Sequence, residues 1–186
     1  MSRWIERVTE RLPLGDLKPP GTGRFAAVAL VLHDDPAGPR VLLMKRTERE
    51  GDPWSGHISL PGGRYHVTDP HLLATAIRET REELGVELDG ARVIGQLPPT
   101  HPRTSGPNGM EVTPFIFVTE DEVATTPGPE AFSAFWLPLE LARSGSLDTS
   151  YRYAPSGDNF PGWSYQGHVI WGLTWRLLQD LIERIR

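Results

Sequence analysis

One stretch of this chain is written as a helix from its first residue to its last, and it constrains everything around it. From Asp69 to Gly85 the sequence runs Asp-Pro-His-Leu-Leu-Ala-Thr-Ala-Ile-Arg-Glu-Thr-Arg-Glu-Glu-Leu-Gly. Asp69 suits an N-cap, and Pro70 suits the first helical position, where its missing N–H is not needed. Gly85 offers the left-handed residue that closes a helix, and Val86 a hydrophobic contact across the cap. These signals predict a helix over residues 70–84.

The rest of the chain reads as strands and short helices around that element. Apolar runs at 25–32 and 41–45 predict neighbouring strands joined by a turn at 33–40, which contains Asp34, Asp35, Pro36 and Gly38. Short strands are expected at 57–60, 91–97, 111–119, 131–136, 150–153 and 165–170, and a short helix at 138–143. Residues 171–185 predict a closing amphipathic helix with Leu173, Leu177, Leu178, Leu181 and Ile185 on its apolar side. The loop at 98–110 is long for a hairpin and reads as a substrate-facing flap. Residues 1–23 form an N-terminal extension, partly helical through Trp4, Ile5, Val8 and Leu12 and then broken by Pro19 and Pro20; residues 24–186 form the domain proper. Strands on both sides of one central helix predict an α/β fold, a mixed sheet flanked by helices.

Within the central helix Glu79, Glu82 and Glu83 stand at i, i+3 and i+4, so their carboxylates converge on one edge. Leu73, Ile77, Thr80 and Leu84 face the core and fix the helix rotation. Three like charges this close repel and call for compensation. Hard oxygen donors suit Mg²⁺ or Mn²⁺, ions that also bridge phosphates. On its own such a triple is an ordinary solvated face. Pro61-Gly62-Gly63-Arg64, just upstream, changes the odds, because two glycines let a backbone approach carboxylates or a bound anion closely.

Composition narrows the chemistry. No cysteine is present, which excludes a disulfide framework, a thiol nucleophile and thiolate zinc sites. A formal net charge of −5 argues against nonspecific nucleic-acid binding. No apolar run is long enough for a membrane span and no secretory leader is visible, so a cytoplasmic protein is expected, without nucleic-acid or membrane partners.

Gly63 followed by Arg78-Glu79-Thr80-Arg81-Glu82-Glu83-Leu84-Gly85-Val86 closely resembles the box of the Nudix hydrolase family. The resemblance implies an α/β/α sandwich that hydrolyses nucleoside diphosphates linked to another moiety with Mg²⁺ or Mn²⁺. It assigns Glu79, Glu82 and Glu83 as metal ligands, and Arg78 as a brace for the acidic cluster within the catalytic set. The spacing from Gly63 to Arg78 is one residue longer than the general pattern, and only Asp69 approximates the first acidic residue, where an N-cap is the favoured role. The branch resembling coenzyme A pyrophosphatases shares that spacing. Leu42–Arg46, Gly56–Gly63 and Gly167–Thr174 also resemble that branch, with Leu60 in place of a more usual phenylalanine.

Other residues carry expectations of their own. Arg46 and Arg49, with Gly62, Gly63 and Arg64, are candidate substrate contacts, since a guanidinium fork matches a phosphate; a solvated edge competes evenly for the arginines. Glu130, and Glu82 as its rival, are candidate general bases, the former by the resemblance. His57 reads as structural. The aromatic stretch 159–165 and the segment 98–102 are candidate walls for a leaving group, or equally the contact of a homodimer. The favoured substrate is coenzyme A or an acyl derivative. The alternatives are ADP-ribose, NADH or damaged nucleoside triphosphates, or a noncatalytic nucleotide-binding module.

Overall fold

The computed structural model describes residues 2–52, 54–88, 92–102 and 109–186. Its elements in chain order are α1 (Arg3–Arg11), β1 (Arg24–His33), β2 (Arg40–Arg46), β3 (Ile58–Ser59), β4 (Gly62–Arg64), α2 (Leu72–Leu84) and β5 (Arg92–Gln96). They continue with β6 (Met110–Thr119), β7 (Ala131–Pro138), α3 (Leu139–Arg143), β8 (Asp148–Arg152), β9 (Asn159–Tyr165), β10 (His168–Trp171) and α4 (Gly172–Arg184).

β1 is the axis of the larger sheet. Its whole length pairs in parallel with β6, from Arg24 opposite Met110 to His33 opposite Thr119. The other edge of β1 is shared: β4 covers its start in antiparallel register and β2 covers its end. β3 and β7 pair with β2, and β5 with β6, so the sheet is mixed as expected. A second sheet of three antiparallel strands, β10-β9-β8, lies beside it.

Alternation along β1 divides the interior in two. Leu30 and Leu32 join Leu43, Ile116, Trp163 and α4 on one face, while Ala27, Ala29, Val31, Leu42, Met44 and Phe117 meet α2 on the other. Helices on both faces of one sheet make the α/β/α sandwich. Ala27 and Ala29 are small, which lets α2 lie close to the strand that carries them.

The structure refines several expectations. α2 begins at Leu72 rather than residue 70, and its N-cap is His71, whose Nδ1 accepts from the Ala74 N–H at 3.1 Å. Asp69 does not cap the helix because its carboxylate is claimed by Arg78 and Thr75. Gly85 closes the helix with φ 64°, as anticipated. Gly62–Arg64, outside the strands expected from sequence, is strand β4. At Gly62 a side chain would lie 2.3 Å from the Ala27 carbonyl oxygen, so only glycine admits this pairing. The segment 165–170 is two strand ends around a turn, since Gln166 and Gly167 both have positive φ. Of the expected flap, Thr100 bridges to Val112, and residues 103–108 lie outside the described residues.

α1 packs through Ile5, Val8 and Leu12, all buried in the core that α4 also lines. Its end is locked to β5: the Gln96 N–H donates to the Leu12 carbonyl at 3.1 Å. Gly95 sits at the register shift of β5, where an added Cβ would come within 1.9 Å of that same oxygen. Gly95→Ala must therefore push the helix end away. We expect it to destabilise the fold by about 1–3 kcal/mol, in the range of overpacked interior sites, read as a lower midpoint in urea unfolding.

Candidate active site

The three glutamates of α2 meet three different surroundings. Glu83 is only 4% exposed, and its Oε2 accepts the Gly62 N–H at 2.8 Å. That bond ties α2 to β4 where β1 passes from one antiparallel partner to the next. Glu79 is largely buried, and its carboxylate fills the space a side chain at Gly63 would need, 2.5 Å from where a Cβ would stand. Glu82, a turn further along, is more than half exposed. The Gly-Gly pair therefore has two functions: Gly62 permits the strand pairing and supplies a donor, and Gly63 leaves room for a carboxylate.

Arg78 organises the acidic edge. Its Nε and Nη2 donate to the two oxygens of Asp69, each at 3.0 Å. Its Nη1 reaches Glu79 at 2.8 Å and Glu82 at 3.3 Å, and Nη2 also donates to the Arg64 carbonyl at 3.2 Å. The fork thus bridges the loop before the helix to two of its carboxylates. Asp69, 7% exposed, is held below the ordinary carboxylate range chiefly by Arg78, against burial, with Thr75 and the His66 N–H assisting. The guanidinium is driven still further from deprotonation, first by Asp69 and then by Glu79.

Glu79 and Glu83 move the other way. Burial raises Glu79, Arg78 opposes the shift, and the charges of Glu82 and Glu130 add to it. Burial pushes Glu83 up to about 8, against the Gly62 N–H and the charge of Arg46, with Glu79 and Glu130 adding to the rise. Burial leads in both, and the Arg78 ion pair offsets only part of it at Glu79. Among the described residues no three acidic or histidine side chains are gathered closely enough to grip a metal ion as they stand. The reason is visible in Arg78, whose Nη1 lies between Glu79 and Glu82 and supplies the nearest cation. The donor set nonetheless fits a hard divalent ion: carboxylate oxygens, those of Glu79 and Glu83 raised by burial, beside a glycine whose missing side chain leaves them room.

The remaining candidates are brought to the same end of the sheet by strand pairing. Arg46 pairs with Ala131 of β7, and the Thr47 N–H donates to the Glu130 carbonyl at 3.0 Å. Arg46 and Glu130 both act on Glu83 electrostatically. Arg46 also donates to Asp52 at 3.1 Å. Arg49 reaches Glu130 at 3.9 Å and the Pro129 carbonyl at 3.1 Å. The Arg64 side chain is exposed, while its carbonyl serves Arg78. The Gly62 N–H is engaged by Glu83, so its contribution is to place a carboxylate. His57 packs edge-on to Trp54, Tyr151 and Trp171.

Two features had no signal in the sequence. Asp69 and Arg78 pair across nine positions, which no helical spacing would suggest. The segment before Glu130 latches onto the end of α2: Thr126 N–H to the Leu84 carbonyl at 2.7 Å, and Gly128 N–H to the Glu83 carbonyl at 2.8 Å. A side chain at Gly128 would meet the Glu82 carbonyl oxygen at 2.4 Å, so glycine is required for that approach. The latch delivers Glu130 to the acidic edge. Two concavities, of about 230 and 460 Å³, lie at α3 and at the junction of α1, α3 and α4, and none of these carboxylates lines either.

Comparison with known proteins bears on the family and the fold. The NUDIX domain family model matches residues 23–155. A Nudix hydrolase of Photorhabdus laumondii, NudL, is 31% identical over all of this chain and 98% of its own length. NudL of Citrobacter koseri is 32% identical, over 80% of this chain and 77% of its own. Among solved structures, the NUDIX domain of Shewanella oneidensis NrtR, complexed with ADP ribose, superposes with a TM-score of 0.60 at 15% identity, covering 90% of this chain and 91% of that one. A C. elegans Ap4A hydrolase in a binary complex gives 0.55 at 16% identity, covering 86% and 95%. No described helix is long and apolar enough to cross a membrane. The chain belongs to the Nudix family, and its catalytic class is that of the Nudix pyrophosphohydrolases.

Proposed function

We propose that this protein hydrolyses the pyrophosphate bond of a nucleoside diphosphate joined to a second moiety, with Mg²⁺ or Mn²⁺ held by Glu79, Glu82 and Glu83. The observation that carries the reading is the pair of largely buried carboxylates held side by side, Glu79 in the Gly63 slot and Glu83 on the Gly62 N–H. A divalent ion there supplies Lewis-acid polarisation of the phosphate and acidifies a water at neutral pH. Arg46 and Arg49 offer planar forks to the nonbridging oxygens of the diphosphate. Glu130, half exposed and close enough to act on both buried glutamates, takes the proton of the attacking water; Glu82, equally open, is the alternative acceptor. Arg78 keeps Asp69 and positions the helix edge.

For substrate, ADP-ribose is the first choice, supported by the ADP ribose complex of the similarly folded Shewanella domain. Coenzyme A is the second reading. One contact favours it: the two segments that resemble the coenzyme A branch touch, with Thr174 Oγ1 donating to the Ile58 carbonyl at 3.2 Å. A metal-supplemented assay with ADP-ribose, NADH, coenzyme A and nucleoside triphosphates, with products identified, decides among them. Hydrolysis of none of these would refute the proposal.

Replacing Glu79 or Glu82 with Gln should lower kcat/KM at least about a hundredfold, since loss even of supporting groups around a metal costs 10- to 100-fold, while leaving the melting temperature close to wild type. Retention of most activity in both variants would contradict the ligand assignment.

Glu83 also makes a prediction about pH. A carboxyl raised to about 8 in the folded chain holds a proton that the unfolded chain has released above about 4.5. The native state then binds more protons, so stability falls as pH rises between those values, by at most about 1.4 kcal/mol per unit. Metal-free protein should melt at lower temperature at pH 8 than at pH 5.5. Mn²⁺ should reverse this with proton release, and Glu83→Gln should flatten the slope. A melting temperature that rises with pH in metal-free wild type would overturn the account of Glu83.

A further inference from the structure

Beyond the carboxylate edge, the loop after β2 leads to a cluster of six rings. Trp54 and His57 come from the loop, Tyr151 from β8, Tyr153 just beyond it, Phe160 from β9 and Trp171 from β10. Tyr151 stacks on Trp171 with centroids 4.2 Å apart, and Trp54 lies parallel to Tyr153 within 7° at 6.0 Å. Phe160 and Tyr153 lie 5.5 and 5.4 Å from Trp171. Trp171 is buried, but the other five keep part of their surface in solvent. A core would hide such rings fully, whereas here these five are left partly open at the surface.

The cluster is continuous with the phosphate-handling residues. The Arg46 N–H donates to the His57 carbonyl at 2.9 Å, and on its other side Arg46 pairs with Ala131, next to Glu130. Neighbouring strands stand roughly 5 Å apart, so His57, Arg46 and Glu130 form a row of about 10 Å across the sheet end. That is the scale of a nucleoside diphosphate from base to phosphate. Asp52 joins the halves: it accepts from Arg46 at 3.1 Å and from the Trp54 N–H at 3.0 Å.

We propose that the Trp54–Tyr153 face of this cluster is the subsite for the planar base of the substrate, placing its diphosphate at Arg46 and the acidic edge. The inference rests on the hydrolase reading above and adds the base as a recognised element. Aromatic faces accept any base, since each has a π surface. Burial holds the His57 imidazole toward its neutral form, and its Nε2 lies 3.4 Å from the Tyr151 hydroxyl, which ties the loop ring to β8.

Calorimetric titration with ADP and with inorganic pyrophosphate tests the subsite without requiring turnover. Trp54→Leu should weaken ADP roughly 5- to 100-fold, the range for losing one base–aromatic stack, and leave pyrophosphate within twofold. Tyr153→Leu should do the same, and Trp54→Phe should restore most of the affinity. Equal weakening of both ligands, unchanged ADP binding in both folded Leu variants, or no ADP binding by wild type would overturn the subsite. So would a Trp54→Leu variant whose only change is loss of self-association in sedimentation, which would assign the rings to a contact between copies. Should ADP discrimination depend on these rings while no nucleoside diphosphate derivative is hydrolysed, the subsite stands and the hydrolase reading falls.

Discussion

The hydrogen bond from the Gly62 N–H to the buried carboxylate of Glu83 is the joint on which the site depends. A carboxylate this deeply buried is unfavourable without a partner. Among the described residues its direct donor is the Gly62 amide, in a strand of three residues whose pairing needs glycine against the Ala27 carbonyl. The bond sets the rotation of α2 against β4, and with it the directions of Glu79 and Glu82. From the other side, the carbonyls of Glu83 and Leu84 accept from the segment before Glu130. The end of α2 is thus held between two backbone segments, and each presents a candidate functional residue.

Charge is distributed in an orderly way around this joint. Asp69, Arg78, Glu79 and Glu82 form a chain in which one guanidinium answers three carboxylates. Among the described residues, Glu83 has the Gly62 amide and the more remote Arg46 to offset it. On the proposed reading, this arrangement favours a protonated Glu83 until a divalent ion takes the place of the proton. Asp69 secures Arg78 through two hydrogen bonds, so the guanidinium can yield the Glu79–Glu82 side while remaining anchored.

Much of this was legible in the residues. The acidic spacing, the Gly85 terminus, the mixed sheet and the positions of β1, β2, β6 and β7 follow from local pattern, because apolar periodicity and turn chemistry act over a few residues. By contrast, β9 lies where no strand was expected. What was not legible is what depends on register between distant segments. The pairing of Gly62–Arg64 with β1 moves the glycines from a loop into a strand and gives them to the glutamates rather than to a free anion site. Asp69 reads as a cap by local rules, but a guanidinium nine residues away competes for the carboxylate and His71 takes the cap. The aromatic stretch 159–165 gave no hint that its Phe160 would meet Tyr153 and Trp171. The substrate is legible only as a class, since a base-stacking surface selects a planar group and not its attachments.

The most direct test of the account is a crystal structure with Mn²⁺, read by anomalous scattering at the manganese edge. The account predicts a peak within coordination distance of carboxylate oxygens of Glu79 and Glu83, with the Nη1 of Arg78 withdrawn from Glu79 while its hydrogen bonds to Asp69 persist. A saturated crystal with no anomalous density at this edge, or with the metal bound only at sites remote from Gly63, would contradict it.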